Sequence, residues 1–234
     1  MKVEYIDHMG SDLSVVNAAR VSFDKESNWQ RITFKSDPDI YHEYLSDADK
    51  KLISYLAKHN HWSPFAHTCV SLHVKAPIFV ARQLGKHQVG LVWNEVSRRY
   101  VDTPPEFYIP EKWRKRAENV KQGSSDEIVR SLVPDNLGLS CTPSTAYRDV
   151  YEHCLRHYDW MIASGVAPEQ ARMVLPQAMM TEWIWTGSML AFHRVHRLRS
   201  DAHAQRETQE IAKQIAAIIE PLFPVSWAAL GDHT

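Results

Sequence analysis

Residues 68–84 read Thr68-Cys69-Val70-Ser71-Leu72-His73-Val74-Lys75-Ala76-Pro77-Ile78-Phe79-Val80-Ala81-Arg82-Gln83-Leu84, and two periodicities meet inside them. In the first half Val70, Leu72 and Val74 alternate with more polar residues, the period of a strand with one buried face. Pro77 then restarts the chain. Its fixed φ suits the first turn of a helix, which carries Ile78, Phe79, Ala81, Arg82 and Leu84. Strand and helix joined in this way point to a helix-rich α/β (α+β) fold.

Toward the N-terminus, Val3–Asp7 reads as a strand and Ser11-Asp12 as the cap of a helix through Ala19. Residues 24–38 are polar without clear periodicity and are expected to be a loop. Ser46-Asp47-Ala48-Asp49 caps a helix with Leu52, Ile53, Leu56 and Ala57 on one face, ended by His59–Pro64. Toward the C-terminus, the charged residues 112–122 suggest a helix, and 123–143 a long surface excursion. Ser144 is expected to cap a helix with Val150, Cys154 and His157 on one side, and Pro168 to open a short helix toward Val174. Thr181–Thr186 reads as a strand, and Ser188 caps a helix to Leu198. Ala204–Glu220 is expected to be the final helix, with Ile211, Ile215, Ile218 and Ile219 as its stripe and Pro221 and Pro224 ending it. The sum is a single domain over residues 1–234, with helices around a mixed sheet.

Composition narrows the function. Lys+Arg is 27 and Asp+Glu 28, a net charge of −1, which argues against a general nucleic-acid coat protein. The three cysteines, Cys69, Cys141 and Cys154, form no CxxC, so neither a disulfide scaffold nor a zinc ribbon is indicated and reduced thiols in the cytoplasm are expected. The N-terminus has no apolar core of a signal peptide, and no run of apolar residues is long enough to span a bilayer. Neither GxGxxG nor GxxxxGK[ST] occurs, which removes the familiar dinucleotide and P-loop readings.

Four constellations could carry chemistry. Arg82 and Lys86, four apart, share a helix face and form either a solvated basic edge or an anion contact. Glu95, Ser97 and Arg99 alternate, so an extended chain would point an acid, a hydroxyl and a guanidinium to one side, able to bind a sugar hydroxyl and a phosphate. Arg194, Arg197 and Arg199 cluster at a helix end, where they either complement the helix dipole or form a basic pocket. His59, His61 and His67 lie close in sequence, but without HExxH or matching carboxylates, and no metal is expected.

Taken in order, these blocks resemble the flavin-dependent thymidylate synthases. The resemblance runs from Ala18-Ala19-Arg20-Val21-Ser22-Phe23, through His61-Trp62-Ser63-Pro64-Phe65-Ala66-His67, the block 73–83 and Asn94-Glu95-Val96-Ser97-Arg98-Arg99-Tyr100. It continues through Ala171-Arg172-Met173-Val174-Leu175-Pro176 to Leu198-Arg199-Ser200-Asp201-Ala202-His203-Ala204-Gln205. The family signature, RHRxxSxNExSxRY, is altered in its first half: Lys86-His87-Gln88 stands where Arg-His-Arg is expected, the first serine has no counterpart, and the stretch from His87 to Asn94 is one residue longer, an extra residue near Gly90 expected to form a bulge.

The resemblance implies an activity: dTMP made from dUMP, with methylenetetrahydrofolate as carbon donor and FAD, reduced by NADPH, as hydride source. It also implies a cytoplasmic homotetramer with sites at subunit junctions, and no nucleic-acid or membrane partner. Arg199 matches the arginine that polarises the uracil. Gln83, Ser97, Arg99 and Arg172 match dUMP-binding positions, and Arg98 joins them through its backbone. His61, Ser63, His87 and Gln88 match FAD-side positions, as do Ser188 and Arg194, which differ in type from the family. Lys86 and Glu95 belong to both sites. None of the cysteines lies in these blocks, which favours the flavin route over a cysteine nucleophile. Trp62, Trp183, Trp185 and Phe192 serve either core or interfaces. The alternatives are a sibling flavin- and folate-dependent enzyme making another 5-substituted pyrimidine nucleotide, and a non-enzymatic nucleotide- or RNA-binding module using Arg194–Arg199.

Overall fold

The computed structural model describes residues 1–34, 37–101, 103–118, 123–132 and 141–232. The chain begins with strand β1 (Lys2–Met9), helix α1 (Asp12–Arg20), strands β2 (Gln30–Phe34) and β3 (Asp37–Tyr44), and helix α2 (Asp47–Lys58). Strand β4 (Cys69–Pro77), helix α3 (Ile78–Leu84) and strand β5 (Leu91–Glu95) follow, then short strands β6 (Arg114–Arg116) and β7 (Ser124–Ile128). Helices α4 (Pro143–Ala163) and α5 (Pro168–Ala171), strand β8 (Met180–Gly187), and helices α6 (Met189–Arg199), α7 (Arg206–Ile219) and α8 (Pro224–Asp232) complete it.

The central sheet has the order β1-β4-β8-β5. Alternation along β4 buries Val70, Leu72, Val74 and Ala76, and register brings Leu72 opposite Trp185 and Val74 opposite Trp183. Both tryptophans are core, as is Phe192, whereas Trp62 is exposed. Helices α1, α2, α3, α6, α7 and α8 add buried residues to the same core, α7 through Ile211, Ile215 and Ile219. Burying each such side chain favours folding by about 1.5–3 kcal/mol. The buried Asp12 of α1 receives the Val225 and Ser226 N–H groups at 3.0 and 2.8 Å, capping α8 and tying the chain ends together.

Several expectations need correction. The sheet is antiparallel throughout rather than mixed: β8 lies between β4 and β5 and opposes both, so the like-directed strands never pair. Part of the loop expected over 24–38 is the β2–β3 hairpin, held by backbone pairing and the Arg31–Glu43 ion pair rather than an apolar face. The helix expected over 112–122 is replaced at Arg114–Arg116 by β6, paired with β7; residues 119–122 lie outside the described residues. The excursion at 123–143 contains β7 and the first residue of α4, and residues 133–140 lie outside the described residues. The cap of α4 is Thr142, with Pro143 in its first turn, and Val150 faces solvent. Ala204–Glu220 is not the last helix, because Pro224 starts α8, a position where its missing N–H costs nothing.

Candidate active site

The C-terminal end of α3 and the end of α6 build the centre of the site. Arg199 Nε donates to His87 Nε2 at 2.9 Å, and a terminal nitrogen donates to the Gln83 carbonyl at 3.2 Å. The Gln83 side chain donates to Gln205 Oε1 at 2.6 Å, across 122 positions of sequence, and accepts from Thr208 Oγ1 at 3.2 Å. Gln83, Arg197, Arg199, His203 and Gln205, with Arg114 and Ser124 of the β6–β7 hairpin, line a cleft of ≈ 980 Å³. Burial first, and the Arg199 charge second, push the His87 pKa down, so the ring is neutral and accepts from the guanidinium.

A second cleft takes Arg82, Lys86, His87, Gln88, Trp93 and Glu95. Glu95 is oriented by Thr181 Oγ1 at 2.6 Å and by the Trp93 indole N–H at 3.2 Å, and Trp93 is itself stacked on Trp183 at 4.1 Å between centroids. Glu95 also faces a third cleft with Arg98 and Arg172. The chain is not extended beyond Glu95, so the expected one-sided row of Glu95, Ser97 and Arg99 does not form. Residues 97–101 turn, with the Tyr100 and Val101 N–H groups bonding to the Ser97 carbonyl, and Ser97 Oγ accepts from Arg99 Nε at 3.2 Å. Arg99 lies over the Tyr100 ring at 4.9 Å.

Gly90 lies in the turn before β5, and the β5–β8 register from Leu91 to Glu95 is unbroken, so the bulge expected there does not interrupt the pairing. Gly90 has φ +75°, open to glycine without strain. Its carbonyl receives the Ser188 N–H at 3.2 Å, and Ser188 Oγ caps α6 by accepting from Ala191 N at 3.2 Å.

Along α6, Arg194 and Arg197 share a cleft with Trp62, His193 and His61, and Arg197 borders the Arg199 cleft as well. His61 also lines a neighbouring cleft with Ser63, Tyr55 and Phe23. His193 is 5% exposed and edge-on to Trp227; burial, then the positive fields of His196 and Arg197, push its pKa down to about 4.

Among the described residues, no carboxylate lies within ion-pair distance of Arg82, Lys86, Arg98, Arg99, Arg172, Arg194, Arg197 or Arg199. Such a set of uncompensated cations suits anionic ligands. The cations lie in two clefts, Arg82 with Lys86 and Arg194 with Arg197; either pair has the chemistry to hold the phosphate of a flavin nucleotide, and exposed Trp62 and Tyr55 offer flat surfaces to a ring. Among the described residues no cluster of His, Cys, Asp and Glu could hold a metal ion. Among the described residues, no helix is long and apolar enough to cross a membrane.

The sequence-derived residues therefore divide. Gln83, His87 and Arg199 are in direct contact; Lys86, Gln88 and Glu95 share one cleft; Arg98 and Arg172 another. His61 and Arg194 share a further cleft along α6, and Ser63 lines the one beside it with His61. Gln205, Thr181, Trp93 and Glu207 join the site without having been assigned to it, and Arg197, read from sequence only as part of a cation cluster, lines two of its clefts. Gln205 sits inside a quoted block, but its role depends on a contact that sequence spacing does not reveal.

A family model described as thymidylate synthase complementing protein matches residues 4–225. A flavin-dependent thymidylate synthase of Thermus thermophilus is 36% identical over 231 residues, covering 99% of this chain and 76% of that protein. One of Kosmotoga olearia is 35% identical over 227 residues, covering 97% and 88%. Among solved structures, the UMP/dUMP methylase PolB from Streptomyces cacaoi bound with 5-Br dUMP is similar with a TM-score of 0.75 and 29% identity, covering 99% of this chain and 94% of that one. The motif blocks lie on this shared architecture in order, and the chain belongs to the flavin-dependent thymidylate synthase family.

Proposed function

We propose that the chain methylates dUMP reductively to dTMP, with methylenetetrahydrofolate as carbon donor, FAD as cofactor and NADPH as the reductant. The observation that carries this reading is the Arg199 guanidinium: half-buried, pinned by two neutral acceptors, and free of any carboxylate within reach among the described residues. Its remaining N–H groups are held ready for charge that develops on a pyrimidine, where a preorganised donor acts without reorganising. Bound and reduced, FAD would supply the hydride.

The other roles belong to the chain's own side chains. Gln83 orients the pyrimidine. Arg172, with Arg98, Arg99 and Ser97, binds the phosphate and sugar. Lys86 and Glu95 sit between nucleotide and flavin. His61, Ser63, His87, Gln88 and Arg194 hold the cofactor, and Ser188, whose oxygen is occupied by the helix cap, contributes its hydroxyl proton. The separation of Gln83 and Arg199 from Arg98 and Arg172 into different clefts supports a site completed by a second copy of the chain, in a homotetramer. In this reading the enzyme works in the cytoplasm and needs neither nucleic acid nor membrane.

A second reading changes only the nucleotide. Similarity to a UMP/dUMP methylase favours UMP as a further acceptor, giving 5-methyl-UMP. The test loads purified protein with FAD, desalts it, and supplies methylenetetrahydrofolate, NADPH and either dUMP or UMP. Retained flavin absorbance with dTMP among the chromatographed products supports the first reading. Methylated UMP alongside dTMP supports the second, methylation of UMP alone overturns the first, and loss of all flavin with no methylated product overturns both.

A further inference from the structure

We propose that Glu207 is a positioning residue whose carboxylate fixes the direction of the hydrogen bonds running through Gln205 and Gln83, and that this direction makes the cleft beside Arg199 select a 2,4-dioxopyrimidine over a 4-aminopyrimidine. The proposal rests on the reading of that cleft as the pyrimidine site.

Glu207 is 4% exposed, in the first turn of α7 beneath the cleft. It accepts from an Arg114 terminal nitrogen at 2.7 Å and from Gln205 Nε2 at 3.0 Å. Burial works to raise its pKa, but hydrogen bonds from Arg114, its own backbone N–H and Gln205 outweigh burial and hold it below the usual carboxylate range. An ionised carboxylate accepts only, so Gln205 must turn its nitrogen toward Glu207 and its oxygen toward Gln83. Gln83 must then present its nitrogen, at 2.6 Å, which leaves its oxygen to accept from Thr208. Reversing Gln205 alone would set two N–H groups against each other across that short contact, so the amides can turn only together. At the other end, the Thr208 hydroxyl can donate or accept, and the Phe79 carbonyl lies 3.4 Å from Gln83 Nε2. The carboxylate is thus the strongest element that decides the direction.

The direction determines what the cleft offers. Gln205 Nε2 has two protons and spends one on Glu207, and Arg199 spends two of its five N–H groups on His87 and Gln83. The wall is donor-rich, which suits the two carbonyl oxygens of a 2,4-dioxopyrimidine and sets N–H against N–H for a 4-amino group. With a neutral amide in place of the carboxylate, both directions become available, and a reversed Gln205 offers an oxygen where it now offers N–H.

The experiment compares dUMP and dCMP binding to the FAD-loaded protein by calorimetry, for wild type, Glu207→Gln, Glu207→Asp and Gln205→Met. The preference for dUMP should fall about tenfold in Glu207→Gln and survive in Glu207→Asp, which keeps an acceptor-only group. Gln205→Met leaves the Glu207–Arg114 pair in place and should lose the preference even where Glu207→Gln fails to fold. A purely structural role would weaken both nucleotides alike and leave their ratio unchanged. An unchanged ratio in Gln205→Met, or in a folded Glu207→Gln, overturns the proposal while the functional reading stands. A wild-type protein that binds neither nucleotide overturns that reading, and this proposal with it.

Discussion

Arg199 and His87 meet through one hydrogen bond of 2.9 Å, in which the guanidinium donates to an imidazole nitrogen. The bond defines both partners. His87 accepts at Nε2, so its proton is on Nδ1, and Arg199 keeps its full charge with no carboxylate within ion-pair distance among the described residues.

The first prediction follows from that pair. His87 should titrate below 6.5, because burial and then Arg199 oppose its charging. The unfolded chain therefore takes up this proton first as pH falls, so the histidine's contribution to stability is intact above about 6.5 and is lost as pH falls toward the lower folded value. Arg199→Ala should raise the His87 pKa only partway back, since burial is the larger cause. Proton NMR of the ring through a pH series measures this, and an unshifted His87 in the wild type contradicts it.

His193 should make a larger contribution of the same sign. Its pKa of about 4 against an ordinary 6.5 means that stability falls between those two values. The loss is about 3 kcal/mol for the full shift. Urea midpoints between pH 7 and 4 should drop steeply in the wild type and less steeply in His193→Leu. Parallel pH curves for the two proteins would remove His193 as the cause.

Gly187 should not tolerate a side chain. A Cβ there would lie 2.4 Å from the Gly90 carbonyl oxygen and 2.5 Å from a Leu91 methyl group, at the point where β5 joins β8. Gly187→Ala should cost about 1–3 kcal/mol and disturb the turn at Gly90, whose carbonyl receives the Ser188 N–H. A thermal midpoint equal to that of the wild type contradicts this placement.

These positions show how far the sequence could be read. Strand β4 and helix α7 were legible because their buried faces repeat with the period of the element: Val70, Leu72, Val74 in one and Ile211, Ile215, Ile219 in the other. The β2–β3 and β6–β7 hairpins were not, because pairs such as Arg31–Glu43 and Lys115–Glu127 hold polar, exposed strands without apolar alternation. In the site, Arg199 and Gln83 were legible from their motif blocks. The division of the cations among separate clefts, and the contact of Gln83 with Gln205, depend on distances that spacing along the chain does not encode.

The resemblance sets Lys86 where an arginine is expected, an exchange that would remove a planar fork suited to phosphate. Lys86→Arg should bind FAD severalfold more tightly, read by quenching of flavin fluorescence. Equal affinity would show that Lys86 does not touch the dinucleotide.

The central claim is that Arg199 stabilises charge on the pyrimidine, and single-turnover conversion of bound dUMP in protein with pre-reduced flavin tests it most directly. Arg199→Ala should slow the chemical step by about 10²–10³ with flavin content and oligomeric size unchanged. Arg172→Ala should instead raise the dUMP concentration needed for half-saturation and leave the saturated rate close to that of the wild type. A wild-type rate in Arg199→Ala, with flavin and assembly intact, would contradict the assignment and return the Arg194–Arg199 cluster to a structural role at the end of its helix.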